Sequence, residues 1–371
     1  MAVEYHYEKF PPKNLDWQKL IPLIGPASAA IARYGGVLSA IPNPAVLLSP
    51  LSTQDAVLSS RIEGTQATMG EVLEYEAMGD EERFSPERRN DILEILNYRK
   101  AMIHGVKLLE KLPLCQRVVK EMHSVLLDSV RGKNKTPGEY RLIPNWIGPP
   151  GCSIDEAQYI PISANKINHG MSEWEKYMDS DQSDILVQLC IIHAEFEALH
   201  PFLDGNGRLG RMIIPLYLYQ KNIISSPMFY ISAFFERNRD EYYERLNNVS
   251  KNDDWTGWCY FCLNAFKSQA EENSAKAAEI LSYYNELKEN IPQMTRSQYA
   301  VKALDWIFGR PVFKNSDFIE SSGIPQATAR RIIDVLRHKN IVKSVLEASG
   351  RRPATYMLNR LLNIAEGHDV F

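Results

Sequence analysis

Twelve consecutive residues, His200-Pro201-Phe202-Leu203-Asp204-Gly205-Asn206-Gly207-Arg208-Leu209-Gly210-Arg211, bring one imidazole, one carboxylate, three glycines and two guanidinium groups into a single stretch of chain. An imidazole can take up a proton near neutral pH, and a carboxylate can hold a hard cation. Glycine amides flanked by arginines can surround an anion. The set suits a phosphate-bearing ligand, with His200 as general base, Asp204 as metal carboxylate, and Arg208 and Arg211 as charge stabilisers. Two decoys overlap it. Gly205-Asn206-Gly207-Arg208-Leu209-Gly210 spells G-x-G-x-x-G, but a dinucleotide fingerprint needs a β-strand just before it, and here a helical pattern and a proline precede it. His193-Ala194-Glu195 with Cys259-x-x-Cys262 is reminiscent of a zinc deaminase signature, yet the proline before the cysteines is missing. Both cysteines lie in an aromatic, helical run and read as core. No P-loop sequence occurs.

Two helices must position the stretch. Ser183-Asp184 opens the first, with Ile185, Leu189, Ile192, Phe196 and Leu199 along one stripe, and Pro201 forces it to end at His200. The second begins at the glycines and carries both arginines in its first turns; Pro215 predicts a kink or an early break. Upstream, Ser52-Thr53-Gln54-Asp55 is expected to cap a helix through Ala56 to Glu63, ended by Gly64. Met69 to Met78 and Glu87 to Leu109 show helical apolar spacing. Residues 135–162, with Pro/Gly clusters between short apolar runs, read as a hairpin or flap. Residues 230–290 are helical and aromatic-rich, and Pro292 is expected to end the last of those helices.

Between Thr295 and Arg360 twelve Lys/Arg face five Asp/Glu, a local net of +7 in a chain of net −4, which leaves −11 for the remainder. Helices over Ala300–Phe308, Ser316–Ser321 and Gln326–Lys339 are followed by strands over Ile341–Leu346 and Thr355–Leu358, flanking Ser349-Gly350-Arg351-Arg352-Pro353. That order is the winged helix-turn-helix pattern, with Arg330 and Arg331 on a recognition-type helix, so DNA or protein contact is expected there. The expected division is 1–110, a helical N-terminal region; 111–292, the core with its flap; and 293–371, the winged helix domain.

The 371 residues are 44% hydrophobic and 24% charged, an ordinary globular composition. The net charge argues against blanket binding of nucleic acid, and no run of about 18 apolar residues suggests a membrane partner. Five scattered cysteines and an acidic, aromatic N-terminus point to a reducing, cytoplasmic setting.

The stretch 200–211 resembles the signature of the Fic family, H-x-F-x-[DE]-G-N-G-R-x-x-R, with each defined position filled. Ser59-Ser60-Arg61-Ile62-Glu63-Gly64 is similar to that family's inhibitory motif, [ST]-x-x-x-E-[GN]. The resemblance spans roughly residues 50 to 265 and implies a mainly α fold: a helical core with a small β-hairpin flap. It implies a protein adenylyltransferase that moves AMP from ATP to a Tyr, Ser or Thr hydroxyl of a target protein. His200 would be the catalytic base and Asp204 the ligand of Mg²⁺. Gly205, Asn206, Gly207, Arg208, Leu209, Gly210 and Arg211 would make the ATP phosphate site, and Phe202 would anchor the loop. A kinase-like branch replaces the glycine at 205, so its presence favours adenylylation.

By the same family order Tyr242, Tyr243, Leu246 and Asn247 would meet the adenine. Glu63, with Ser59 one turn earlier, would pair with Arg211 and take the place of the γ-phosphate within the same chain. Ile147, Gly148 and Ile160 would pair with the target as an added strand. An exposed helical core makes a homodimer a reasonable expectation. Two other readings stay open: a DNA-binding regulator whose core senses nucleotide, and transfer of another phosphate-containing group or removal of AMP.

Overall fold

The computed structural model describes residues 2–79, 83–128, 133–149, 151–349 and 353–371. Gly350, Arg351 and Arg352 of the anticipated wing and Pro150 of the flap lie outside the described residues. The chain runs β1 (Val3–Glu4), α1 (Trp17–Ala40), α2 (Pro44–Leu47), α3 (Ser49–Ile62), α4 (Met69–Met78), α5 (Pro86–Leu109), α6 (Gln116–Leu126), β2 (Tyr159–Ile160), α7 (Ile167–Asp179), α8 (Ile185–Leu199) and α9 (Asn206–Gln220). It continues through α10 (Ser232–Arg237), α11 (Arg239–Asn252), α12 (Trp255–Thr295), α13 (Ala300–Gly309), β3 (Val312–Lys314), α14 (Asn315–Ser321), α15 (Gln326–His338), β4 (Lys343–Leu346), β5 (Thr355–Met357) and α16 (Asn359–Glu366).

Two compact units emerge, and they interleave in sequence. One comprises Met1–Gly35, Leu58–Thr65 and Leu93–Glu271; the other Gly36–Val57, Gln66–Ile92 and Glu272–Phe371. The expected three consecutive segments differ from this because α1, α3, α5 and α12 are each divided between the units.

In the first unit α8 is the organising helix. The Asp184 carboxylate caps it, accepting from the amides of Leu186 and Val187 at 2.9 Å each, which satisfies two orphan donors of the first turn. Nearly all of its residues are buried, the mark of a helix enclosed on all sides. It packs against α7, α9 and α11, and the indole N–H groups of Trp174 and Trp258 donate to its Ile192 and Cys190 carbonyls. Cys190, Cys259 and Cys262 are buried. Pro215 lies inside α9, which runs on to Gln220 without an early break, and Pro292 likewise lies inside α12, three residues short of its end at Thr295.

The expected cap at Ser52–Asp55 is not one. α3 already begins at Ser49, and the Thr53 hydroxyl donates back to the Ser49 carbonyl at 3.1 Å, satisfying itself within the helix.

The second unit contains the three-stranded antiparallel sheet β3-β5-β4, with Val312 opposite Met357 and Lys343 also opposite Met357. Strand β3 and helix α16 did not figure in the sequence reading, whereas α13, α14, α15, β4 and β5 fall close to their expected spans. α14 packs on α15, and α4, fixed by a Thr68/Glu71 capping box, packs on β3.

Candidate active site

The corner between α8 and α9 is built by satisfying backbone groups that two helix ends leave open. His200 closes α8 in the left-handed region at φ 46°, ψ 59°, a backbone state that costs a non-glycine residue energy unless its surroundings impose it. Arg141 imposes it. Its amide donates to the Pro201 carbonyl at 2.9 Å, and its buried guanidinium donates to the carbonyls of His200 at 2.9 Å, Leu199 and Ile162. The Leu199 and His200 carbonyls are acceptors that the end of α8 would otherwise leave unpaired.

His123 supports the loop from the other side. Its ring stacks on Phe202 with centroids 3.8 Å apart. The Gly138 amide donates to Nδ1 at 2.8 Å, so the proton sits on Nε2 and is donated to the Asp204 carbonyl at 3.1 Å. Asn206 folds back on the same loop, accepting from the Phe202 amide and donating to the Phe202 carbonyl, both at 2.9 Å. Its side chain is therefore a brace, and what it can offer a phosphate is its backbone amide. Leu209 is wholly buried and packs rather than binds.

At the start of α9, Gly205 takes φ +79°, where a side chain is disfavoured and a Cβ would also press on Leu126. The first-turn amides from Asn206 onward have no intrahelical acceptor, which suits this terminus to an anion. The Asp204 carboxylate is half-exposed, and its Oδ1 accepts from Arg208 at 3.2 Å and from the Gly205 amide at 2.6 Å. Arg208 is also held by Glu94 of α5 at 3.2 Å.

Arg211 is buried among carboxylates. Its Nε donates to the Ser59 hydroxyl at 2.8 Å, and one terminal nitrogen donates to the Ser59 carbonyl at 2.9 Å and to Glu63 at 2.6 Å. Gly207 makes room for this, since a Cβ there would lie 2.2 Å from the Glu63 carboxylate. Gly210 does the same for Glu197, whose carboxylate would lie 2.3 Å from an added Cβ.

Burial depresses the His200 imidazole to about 4; Arg141 adds to the effect, and Glu63, Asp204 and the Glu197 carbonyl oppose it. The ring is therefore neutral at pH 7 and able to accept a proton. Its Nδ1 makes no well-formed hydrogen bond among the described residues, with the Glu197 carbonyl beside it at poorer geometry. Glu197 moves the other way: burial and nearby Glu63 push its carboxyl up to about 8 against the pull of Arg211.

A cavity of about 320 Å³ lies beside this corner, lined by Glu63, Ile147, Gly148, Glu197, Tyr243 and Asn247 among others and by none of residues 200–211. Leu246 also lines it, but Tyr242 does not. Tyr242 is buried, hydrogen-bonded to His193 at 3.0 Å and stacked on Phe235, so it is a core residue and the expectation that it meets a ligand is corrected. With Nδ1 against the Gly210 carbonyl, both nitrogens of His193 are engaged.

The flap also differs from expectation. A single antiparallel bridge joins Ile147 and Tyr159, with no longer hairpin ladder among the described residues. β2 pairs instead with β1 in parallel, through Val3 to Gln158 and Tyr5 to Ile160 at 3.0 Å each. Ile160 therefore has its edge occupied, and an added strand would be confined to the side of Ile147 and Gly148.

Comparison with known proteins places the site in a family. Residues 21–107 match the Fic/DOC family N-terminal region, and residues 113–218, which include the corner, match the Fic/DOC family itself. This chain belongs to the Fic/DOC family. A probable protein adenylyltransferase of Aquifex aeolicus is 34% identical over 68 residues, 18% of this chain and 19% of the relative. The protein adenylyltransferase Fic of Drosophila grimshawi is 25% identical over 167 residues, 43% of this chain and 30% of the relative. The chain thus spans less than a third of the length of these curated relatives.

Among solved structures, a Fic family protein from Desulfovibrio desulfuricans G20 superposes with TM-score 0.60 at 19% identity, covering 94% of this chain and 98% of its own. A Fic domain containing signaling protein from Bacteroides thetaiotaomicron superposes with TM-score 0.56 at 15% identity, covering 68% and 96%. These likenesses carry the fold: a mainly helical Fic-type architecture with small sheets.

Within that Fic fold the sequence reading located His200, Asp204, the glycines, both arginines, Glu63 and Ser59 at one corner, and Tyr243, Leu246 and Asn247 along its cavity. It did not find Arg141, His123, Glu94 or Glu197. The first two act through backbone groups 59 to 81 residues away, a pairing no local pattern encodes. Glu197 stands three residues before His200, but its type and spacing match no part of the motif that marked the site.

Proposed function

We propose that this protein is a self-inhibited protein adenylyltransferase that transfers AMP from ATP to a Tyr, Ser or Thr hydroxyl of a target protein or of itself. The observation that carries the reading is the Glu63–Ser59–Arg211 cluster set against the α9 N-terminus, one corner from a neutral, half-buried His200. The target oxygen attacks the α-phosphorus, its proton passes to His200, and the bond from that phosphorus to the β-phosphate bridging oxygen breaks, releasing pyrophosphate. The amides of Gly205, Asn206 and Gly207 receive the α-phosphate, while Arg208 and Arg211 hold the outer phosphates.

Asp204 fits Mg²⁺, which keeps several waters and needs only one or two carboxylates beside the substrate's phosphates. Its half-exposed carboxylate stands next to the anion site. Bound there, the ion would neutralise charge between the α- and β-phosphates. Glu63 holds Arg211 in the resting state and excludes the γ-phosphate, so ATP binds unproductively until that pair opens. Tyr243, Leu246 and Asn247 face the base, and Ile147 and Gly148 present the edge for the target.

Incubating the protein with α-labelled ATP tests this. Glu63→Gly should label itself or a lysate protein strongly where the wild type does not, and Glu63→Gly/His200→Ala should lose about 10²–10⁴-fold of that rate. No increase in Glu63→Gly, or an adduct whose mass is not that of AMP, overturns the reading and turns attention to transfer of another phosphate-containing group or to AMP removal.

A second reading is favoured by the exposed Arg330 and Arg331 on α15 and Lys339 just after it, which line a shallow groove with Met294 and His338. On the winged-helix interpretation of that unit, the protein is a DNA-binding regulator whose Fic core senses nucleotide. Duplex binding that weakens steeply with salt and is lost on replacing Arg330 and Arg331 would support it. A protein partner or a second copy of the chain would dock without that salt dependence. No helix among the described residues is long and apolar enough to cross a membrane.

A further inference from the structure

We propose that Glu197 selects the sugar of the nucleotide, its carboxyl engaging a ribose hydroxyl; the inference rests on the nucleotide reading above and assigns a residue to it. Glu197 sits on the last turn of α8, three residues before His200, and lines the cavity. Its side chain is 11% exposed, and Oε1 is buried without a hydrogen-bond partner among the described residues. A buried carboxyl oxygen left open in this way calls for an explanation, because an unmet polar group carries its full desolvation cost.

Tyr242 supports the carboxyl, but the neighbouring groups leave Oε1 itself unmet. The Tyr242 hydroxyl beside it is hydrogen-bonded to His193 Nε2, which itself lies 3.9 Å from Oε1. Arg211 is committed to Ser59 and Glu63. Across the cavity, the Tyr243 hydroxyl donates to the Ile62 carbonyl at 3.4 Å, and the Arg239 guanidinium lies over the Tyr243 ring. Gly210 keeps the carboxyl in place, since any side chain there would displace it.

As an acceptor, the open oxygen fits a hydrogen-bond donor, a role that ionised phosphates cannot fill. Two parts of ATP qualify, the sugar hydroxyls and the exocyclic amine of the base. Position decides between them. On the reading above the base lies against Tyr243, Leu246 and Asn247 of α11, whereas Glu197 lines the same cavity three residues before His200 on α8 and near Glu63, which pairs with Arg211 of the phosphate site. The group that joins phosphates to base, and that carries free hydroxyls, is the ribose.

The test is titration calorimetry on the full chain carrying Glu63→Gly, alone and combined with Glu197→Ala or Glu197→Gln. The ligands are a non-hydrolysable ATP analogue and its 2′-deoxy, 3′-deoxy and inosine counterparts. In Glu63→Gly at least one deoxy counterpart should bind roughly tenfold more weakly than the ribose form. Glu197→Ala should shrink that ratio to within about twofold while leaving discrimination against inosine unchanged. If the alanine variant does not fold, Glu197→Gln, which keeps the shape, should still lower the ratio at least about threefold. Discrimination that survives both substitutions overturns the assignment, and so does a collapse confined to the inosine counterpart. Failure of Glu63→Gly to bind any of the four overturns the nucleotide reading as well, and that outcome is distinct from binding without a role for Glu197.

Discussion

Glu195 and Glu197 stand two residues apart on α8, the first fully buried and the second largely so, and the fold opposes the ionisation of both carboxyls. Glu195 is fully provided for: Tyr5 donates to one oxygen at 2.6 Å, and His6 approaches the other at 2.8 Å and reaches on to Ser250 at 2.8 Å. Glu197 has an oxygen with no partner and a cavity before it. Burial is common to the two, so burial does not separate a structural acid from a functional one. What separates them is whether the fold itself completes the hydrogen bonding, as the N-terminal strand does for Glu195 by carrying Tyr5 and His6 beside β2.

The comparison can be broken by mutation. Glu195→Ala removes the acceptor for two buried side chains and should cost about 3 kcal/mol or more in urea unfolding; a loss below about 1 kcal/mol would put Glu195 among the dispensable carboxyls. Glu197 should instead reveal itself through pH. Its carboxyl titrates near 4.5 when unfolded and about 8 when folded, so the folded form keeps a proton that the unfolded chain has lost. That contribution to stability is fully present below about pH 4.5 and fades as pH rises towards 8. The urea midpoint should fall over that window, and Glu197→Gln should flatten the fall; an unchanged slope would show that the carboxyl ionises at an ordinary pH. Smallest is Ser250→Ala, at the far end of the Glu195 network, which should cost about 1 kcal/mol by the same measurement. No measurable cost would confine the network to Tyr5, His6 and Glu195.

How much of this was legible follows from the range of each signal. The 3.6-residue stripe from Ile185 to Leu199, the stop at Pro201 and the glycines that follow are local, and they outlined α8, the corner and α9. The Glu63 motif was legible because its residues lie four apart on one helix. Spatial partners were not: His6 and Glu195 are 189 residues apart, and nothing near either announces the other. The strand β1 escaped for the same reason, since two residues pair only because β2 is there to receive them. Tyr242 was misplaced because adjacent tyrosines on a helix point about 100° apart, so one faces the cavity and the other the core. The flap failed through composition: Pro and Gly clusters promise turns, but they do not say which edge a short strand will use.

The two glycines that seat carboxylates also bear on how this protein can change over generations. A side chain at position 207 would strike Glu63; on the proposed function it would thereby loosen the inhibitory pair, yet crowd the same helix entrance that is proposed to admit a phosphate. Restraint and competence are thus written in one residue. If the proposed function holds, variants that escape control by altering the receiving surface should be poor enzymes, and lineages that shed control should do so at Glu63 or Ser59, where a change spares the proposed phosphate site.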